Sequence, residues 1–135
     1  EFIPDSGGPG KYRGAPGQRV TIRRRPRESG GKYQIGVWPT GLRTDTPGPF
    51  GGQAGSRMRL YTVAAPGEPS VDHFGSRGIF VEMGDKMEIT LELPGGAGFG
   101  DPKERDPEAI RRDIKEGIVT PEGARAQYVW EDYAE

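Results

Sequence analysis

Apolar and polar positions alternate most regularly between Ile79 and Leu93. Ile79-Phe80-Val81-Glu82-Met83 and Lys86-Met87-Glu88-Ile89-Thr90-Leu91-Glu92-Leu93 flank Gly84-Asp85. Two alternating runs about a Gly-Asp pair predict a hairpin with a tight primed turn. Met87, Ile89, Leu91 and Leu93 share one face, and Glu88, Thr90 and Glu92 the other, so the second strand is half-buried. Three earlier runs also read as strands: Arg19–Arg25, ending before Pro26; Tyr33–Trp38; and Arg57–Val63, with Met58, Leu60 and Thr62 on one face. Beyond Pro102 the period changes. Asp106 is an N-cap, Pro107 takes the first helical position, Glu108 lies in the first turn, Ile110 and Ile114 stand four apart, and Gly117 is the stop. Thr120-Pro121-Glu122 opens a second helix to about Val129 or Trp130. Both helices carry few large apolar residues and must dock; Trp130 and Tyr133 are the anchors, onto this domain or another subunit.

Between these elements the chain is rich in glycine and proline. Residues 5–17 and the stretch from Pro39 to Gly55 contain too much of both for a helix or central strand. The first is an irregular loop, or polyproline-II-like backbone packed closely through its glycines. Ser29-Gly30-Gly31 is a turn. Phe50 anchors its loop in the core by default, or at an interface. The expected fold is mainly β: an antiparallel, barrel-like sheet with polyproline-like segments and a C-terminal pair of short helices. One domain spans 1–135, with a Gly/Pro-rich arm (1–18), a β core (19–93), a Gly-rich turn (94–102) and a helical tail (103–135). The pattern leaves strand order open.

Composition sharpens this picture. Gly 23 and Pro 13 share the 135 positions with few large apolar residues. The chain is therefore a marginal small domain or a module completed by another chain. The absence of Cys excludes disulfides and thiolate chemistry within it. Glu1-Phe2-Ile3-Pro4 is not a signal peptide and no apolar run reaches membrane-spanning length, so a soluble, cytoplasmic protein with no membrane partner is expected. Residues 1–67 carry 11 Lys/Arg against 4 Asp/Glu, and residues 68–135 carry 8 against 16. The halves pack face to face, or the basic half meets an anionic ligand or partner, or both are solvated surfaces.

Candidate chemistry is sparse. Asp5-Ser6 before Gly7-Gly8 can form a turn whose N–H groups make an anion nest. Asp5, Ser6 and Arg13 are therefore candidate site residues. His73, the only histidine, lies in the loop Ser70–Ser76 beside Asp72 and Phe74; it is the natural acid/base group but has no spaced second ligand or nucleophile. Arg19, Arg23, Arg24, Arg25 and Arg27 cluster on and after one strand, without a recognition helix, stacking motif or basic composition to make a nucleic-acid site. Gly95-Gly96-Ala97-Gly98-Phe99-Gly100 follows a strand, but position 101 is Asp where a dinucleotide fingerprint read from Gly96 needs its third glycine, and no β-α-β unit surrounds it. A Walker loop fails for want of Gly-Lys-Ser/Thr. No cofactor site is expected in this chain.

The same stretch resembles the end of the hydantoinase B / oxoprolinase family. There a strand enters a Gly-rich turn, then Gly-Asp-Pro, a short capped helix, a Gly-Val/Leu-Val-Ser/Thr step and a final helix. The matching positions are Pro94-Gly95-Gly96-Ala97-Gly98, Gly100-Asp101-Pro102, Arg105-Asp106-Pro107-Glu108-Ala109 and Gly117-Ile118-Val119-Thr120-Pro121-Glu122. Asp5-Ser6-Gly7-Gly8-Pro9-Gly10-Lys11-Tyr12-Arg13-Gly14 resembles a second family block. Gly7, Gly8, Gly95, Gly96, Gly98, Gly100 and Asp101 are thus signature positions. The resemblance covers this whole chain but only about the last quarter of a typical hydantoinase B protein. It implies a family member split into subunits, similar to the small subunit of acetophenone carboxylase; a truncated hydantoinase B is the competing explanation. It further implies a hetero-oligomer with larger hydantoinase A-like and B-like subunits. ATP and a divalent metal, Mg or Mn, are expected on those partners. The implied activity is ATP-dependent carboxylation of a ketone with bicarbonate, or ATP-dependent hydrolysis of a cyclic amide. The implied role of this chain is mainly architectural, and the resemblance transfers no catalytic residue to it. A non-enzymatic anion-binding module is the alternative from another class.

Overall fold

The computed structural model describes residues 1–25, 33–38, 45, 47–73 and 78–130. Six strands form among them: β1 (Gln18–Arg23), β2 (Tyr33–Val37), β3 (Arg59–Val63), β4 (Val71–Asp72), β5 (Ile79–Met83) and β6 (Glu88–Leu93). All pairings are antiparallel, in a four-stranded sheet of order β1-β6-β3-β4 and a pair, β2-β5. The mainly β, antiparallel expectation holds, but the sheet is open rather than closed into a barrel. Leu60, Val81, Met83 and Ile89 are buried together, with contributions from β1, β2, β3, β5 and β6, so both sheets share one apolar core. Leu60 and Ile89 are fully buried, each contributing about 1.5–3 kcal/mol.

The expected hairpin at Gly84-Asp85 does not form. β5 pairs with β2, while β6 lies inside the other sheet with β1 and β3 on its two edges. Neither Gly84 nor Asp85 has the positive φ that a type I′ turn requires. The turn, closed by the Met87 N–H on the Gly84 carbonyl at 3.2 Å, carries the chain from one sheet to the other. Alternation specifies the buried face but not the edge that pairs, and here both edges of β6 are taken. The loop assigned to Ser70–Ser76 likewise contains a short strand, since Val71 and Asp72 pair with Thr62 and Tyr61. The Ser29-Gly30-Gly31 turn and Tyr133 lie outside the described residues.

Register disposes of much of the charge asymmetry. β1 sets Arg19 opposite Glu92 and Arg23 opposite Glu88, with ion pairs of 2.7 and 2.6 Å. Arg24 reaches Asp85 at 2.9 Å and Arg59 reaches Asp72 at 3.1 Å. The basic and acidic halves therefore do pack against each other. The outward pairs are worth little individually; their weight lies in register and in avoiding like-charge neighbours.

A second layer contains no side-chain core. Residues 6–17, 48–56 and 94–100 run past one another at backbone contact distance, each pair of segments hydrogen-bonded. The Gly8 N–H donates to the Gly96 carbonyl at 2.8 Å, the Gly98 N–H to Gln53 at 2.8 Å, and the Gln53 N–H to Pro9 at 2.8 Å. Gly48 (φ −78°, ψ 141°) and Gly52 (φ −64°, ψ 154°) have polyproline-II backbone. A Cβ on Gly14 would stand 1.9 Å from the Gly96 carbonyl oxygen, and one on Gly98 2.1 Å from that of Pro9. The expected polyproline-like packing is thus present as a three-segment mesh. Phe50, expected by default in the core, instead stands 80% exposed on its surface.

The helical tail follows. Asp101 caps a short 3-10 turn (Pro102–Glu104), accepting the Lys103 N–H at 2.9 Å. Helix α1 (Pro107–Lys115) has Asp106 as N-cap, and Gly117, at φ 70°, ends it. Helix α2 (Pro121–Gln127) stops short of the expected Val129. Ile110, Val119, Ala124 and Tyr128 form a separate small core, with Ile114, Ile118 and Trp130 packed on it. Trp130 is thus an anchor within this domain.

The mesh predicts a sharp contrast between alanine substitutions. Gly98→Ala should destabilise the chain by about 3 kcal/mol or prevent folding, because only backbone can give way. Gly84→Ala, with nothing within 4 Å of the new Cβ, should change stability by less than about 0.5 kcal/mol. Urea denaturation followed by circular dichroism measures both.

Candidate functional site

The amino-terminal block meets the helical tail through Asp5. Its backbone is left-handed (φ 56°), and its N–H donates to the Ile118 carbonyl at 3.0 Å. One carboxylate oxygen accepts the Thr120 N–H at 2.8 Å and the other accepts the Thr120 hydroxyl at 2.6 Å. The Thr120 hydroxyl oxygen in turn accepts the Gly123 N–H at 2.9 Å, as N-cap of α2. Gly123 is needed beneath this arrangement, since a Cβ there would lie 2.1 Å from Asp5 Oδ1. Ser6 is buried; its hydroxyl donates to the Ile3 carbonyl and accepts the Gly17 N–H at 2.7 Å. Its carbonyl takes the Ser56 N–H at 2.7 Å. With the amides of Asp5 and Gly8 both committed to carbonyls, this turn works as a joint.

Arg13 belongs to an ion triad. Its guanidinium donates to Asp113 Oδ1 at 3.0 Å and to the Gly14 carbonyl at 3.0 Å. Arg105 donates to the other Asp113 oxygen and, at 3.2 Å, to the Lys11 carbonyl. The Arg105 guanidinium also lies over the Tyr128 ring, 5.5 Å from its centroid, within cation–π range. Asp113 is only 2% exposed. Burial, the largest influence on it, favours the neutral acid, but hydrogen bonds from Arg13 and Arg105 outweigh burial and hold its carboxyl below the usual range. One carboxylate on α1 therefore ties together the arm, through Arg13, and the start of the tail, through Arg105.

The remaining candidates lie elsewhere. His73, just after β4, bonds to β3: its Nε2 is 2.8 Å from the Thr62 hydroxyl and its backbone N–H donates to the Leu60 carbonyl at 2.9 Å. The signature residues Gly7, Gly8, Gly95, Gly96, Gly98 and Gly100 belong to the mesh, and Asp101 caps its exit. Where β1 leaves the sheet, a cleft of about 360 Å³ is lined by residues including Ile22, Arg24, Arg25, Tyr33 and Met83. Within it the Arg24 guanidinium lies 5.0 Å from the Tyr33 ring centroid. Among the described residues, no three His, Asp or Glu side chains are gathered where they could hold a metal ion. Sequence reasoning passed over Asp113 and Arg105. Asp113 did carry a signal, as a carboxylate one residue before Ile114 and three after Ile110, on the apolar face of α1.

The fold and these joints define a mainly β module with a helical tail, whose polar candidate residues hold segments together. The hydantoinase B/oxoprolinase family matches residues 1–102. The chain belongs to that family. It is 29% identical over 135 residues to the beta subunit of caprolactamase from Pseudomonas jessenii, a match taking in 94% of this chain and 21% of that protein. An uncharacterised protein of Methanocaldococcus jannaschii is 28% identical over 124 residues, taking in 92% of this chain and 20% of that one. Among solved structures, nucleotide-free acetone carboxylase superposes with a TM-score of 0.76 at 22% identity, over 95% of this chain and 20% of that one. The ATP-dependent caprolactamase of P. jessenii gives 0.69 at 20%, over 100% and 23%. The chain thus spans about a fifth of the length of the curated relatives it matches.

The triad predicts an acid-sensitive fold. Because the folded pKa of Asp113 lies below its unfolded value of about 3.9, its stabilisation is complete above that value and is lost as pH falls through the folded pKa. Asp113→Asn should cost about 3–5 kcal/mol at pH 7, by leaving two guanidinium groups without their counter-charge. It should also flatten the loss of stability below pH 4. Thermal melts of both proteins across pH 2–7 test this.

Proposed function

We propose that this chain is a mainly architectural part of an ATP-dependent, multisubunit enzyme of the hydantoinase family. The observation that carries this is the commitment of every candidate polar residue to an internal contact: Asp5 to Thr120, Ser6 to Ile3 and Gly17, Arg13 to Asp113, and His73 to Thr62. A module so built contributes shape and a wall. ATP, with Mg or Mn, would be handled by larger A-like and B-like subunits. Enclosure has a chemical purpose, since activated intermediates such as an acyl or carboxy phosphate survive only where water is excluded.

For the reaction, the sequence relative favours opening of a cyclic amide, as the name caprolactamase describes, and the solved caprolactamase is described as ATP-dependent. Ketone carboxylation with bicarbonate, of the acetone or acetophenone carboxylase type, is the second reading and is favoured by the fold shared with acetone carboxylase. The surroundings of such a complex would be cytoplasmic; no helix among the described residues is long and apolar enough to cross a membrane.

Purification of the native assembly, with its chains identified by mass spectrometry, tests the architectural reading. The expected result is co-purification with hydantoinase A-like and B-like polypeptides. ATP hydrolysis stimulated by a lactam or hydantoin supports the amide reading, and stimulation that needs a ketone plus bicarbonate supports the carboxylase. A folded monomer that binds anions and co-purifies with neither polypeptide would overturn both. Asp5→Ala should lower the melting temperature and activity together; loss of activity in an intact, equally stable assembly would make Asp5 functional.

A further inference from the structure

Three aromatic side chains from the three segments of the mesh converge on its surface. Phe99 lies 6.2 Å from Tyr12 and 5.1 Å from Phe50, centroid to centroid. All are open to solvent: Tyr12 63%, Phe50 80% and Phe99 45% exposed. Phe50 is held with φ 54° and ψ 38°, a left-handed backbone that is uncommon for a bulky residue. Strain that presents an exposed ring, rather than burying it, points to a contact outside the module.

The platform beneath is rigid. Tyr12 and Phe99 exchange N–H···O bonds of 3.0 and 2.8 Å, and the Gly100 N–H donates to the Pro49 carbonyl at 3.1 Å. Charged groups border it: Lys11 pairs with Glu104 at 3.2 Å, and Asp101 stands beside Gly51. An apolar, aromatic centre with a polar rim, preorganised by its backbone, is the anatomy of a binding hot spot. Trp38 and Phe80 form a second exposed pair, 5.0 Å apart, but Trp38 adjoins residues outside the described set.

We infer that Tyr12, Phe50 and Phe99 seat the hydantoinase B-type polypeptide region that makes up the other four-fifths, roughly, of the relatives. The occupant follows from coverage: nearly all of this module recurs as a fifth of a much longer chain, so the remaining four-fifths, roughly, is the body available to cover its exposed rings. This rests on the proposed membership in a hydantoinase-family assembly and names the contact through which the module joins it.

The test places a benzophenone photo-crosslinker at position 50 in the native assembly, and measures affinity for the B-type region with Phe50→Gly. Glycine removes the ring and relieves the left-handed backbone, so this variant should melt at no lower temperature than the wild type. The expected results are crosslinks to B-type sequence outside this module and at least about tenfold weaker association for Phe50→Gly. Crosslinks only to an A-like polypeptide, crosslinks only to a second copy of this chain, or unchanged affinity of Phe50→Gly would each overturn the inference while leaving the architectural reading intact. A native assembly containing no hydantoinase-type polypeptide would overturn that reading, and this inference with it.

Discussion

The closest constraint in the molecule is the approach of three backbones to within a hydrogen bond of one another, most of those bonds running directly from backbone N–H to backbone carbonyl. Gly8, Gly14, Gly95 and Gly98 each lie where a single added carbon would strike a carbonyl oxygen. The arm, the loop before β3 and the turn after β6 are therefore mutually dependent, and no one of them has an independent reason to hold its shape. Backbone hydrogen bonds between segments satisfy groups that extended polyproline-II chains leave open. Glycine carries the largest ordering entropy of any residue, so the mesh must be stabilised from its two sides.

Those sides are the shared β core and the helical tail. Leu60, Val81, Met83 and Ile89 supply the apolar burial on one side, and Ile110, Val119, Ala124 and Tyr128 on the other. Between mesh and tail the attachment is polar: Asp5 on Thr120, and Arg13 with Arg105 on Asp113. Buried ionic contacts add less net stability than their Coulomb energy suggests, but they tolerate few alternative geometries. They fix where the tail docks. This explains how residues resembling a reactive block, an Asp-Ser pair and an arginine among glycines, serve as joints whose chemistry is spent on the fold.

The same economy leaves aromatic rings outside. A chain with 23 glycines and few large apolar residues would be expected to bury every ring it has, yet Tyr12 and Phe50 remain largely exposed. The relatives it matches carry this module as about a fifth of their length, and the proposed contact with the rest of such a chain would account for rings left outside.

How much of this was legible varies with the physics involved. Period-two alternation and helix punctuation act locally, so the strands at Arg59–Val63 and Glu88–Leu93, the Asp106 cap and the Gly117 stop could be placed from residue order alone. The glycine signature and its family were legible for the same reason, since close backbone approach permits almost no other residue. Pairing was not. Which edge of β6 is filled depends on β1 and β3, distant in the chain, and the Gly84-Asp85 turn joins two sheets because β6 has no free edge. Nor was the destination of Asp5 or Arg13 legible, because their partners Thr120 and Asp113 lie 115 and 100 residues away. Local propensity and covalent geometry determined the elements and the glycine positions; long-range packing alone decided which edges pair, which charges meet and which rings stay exposed.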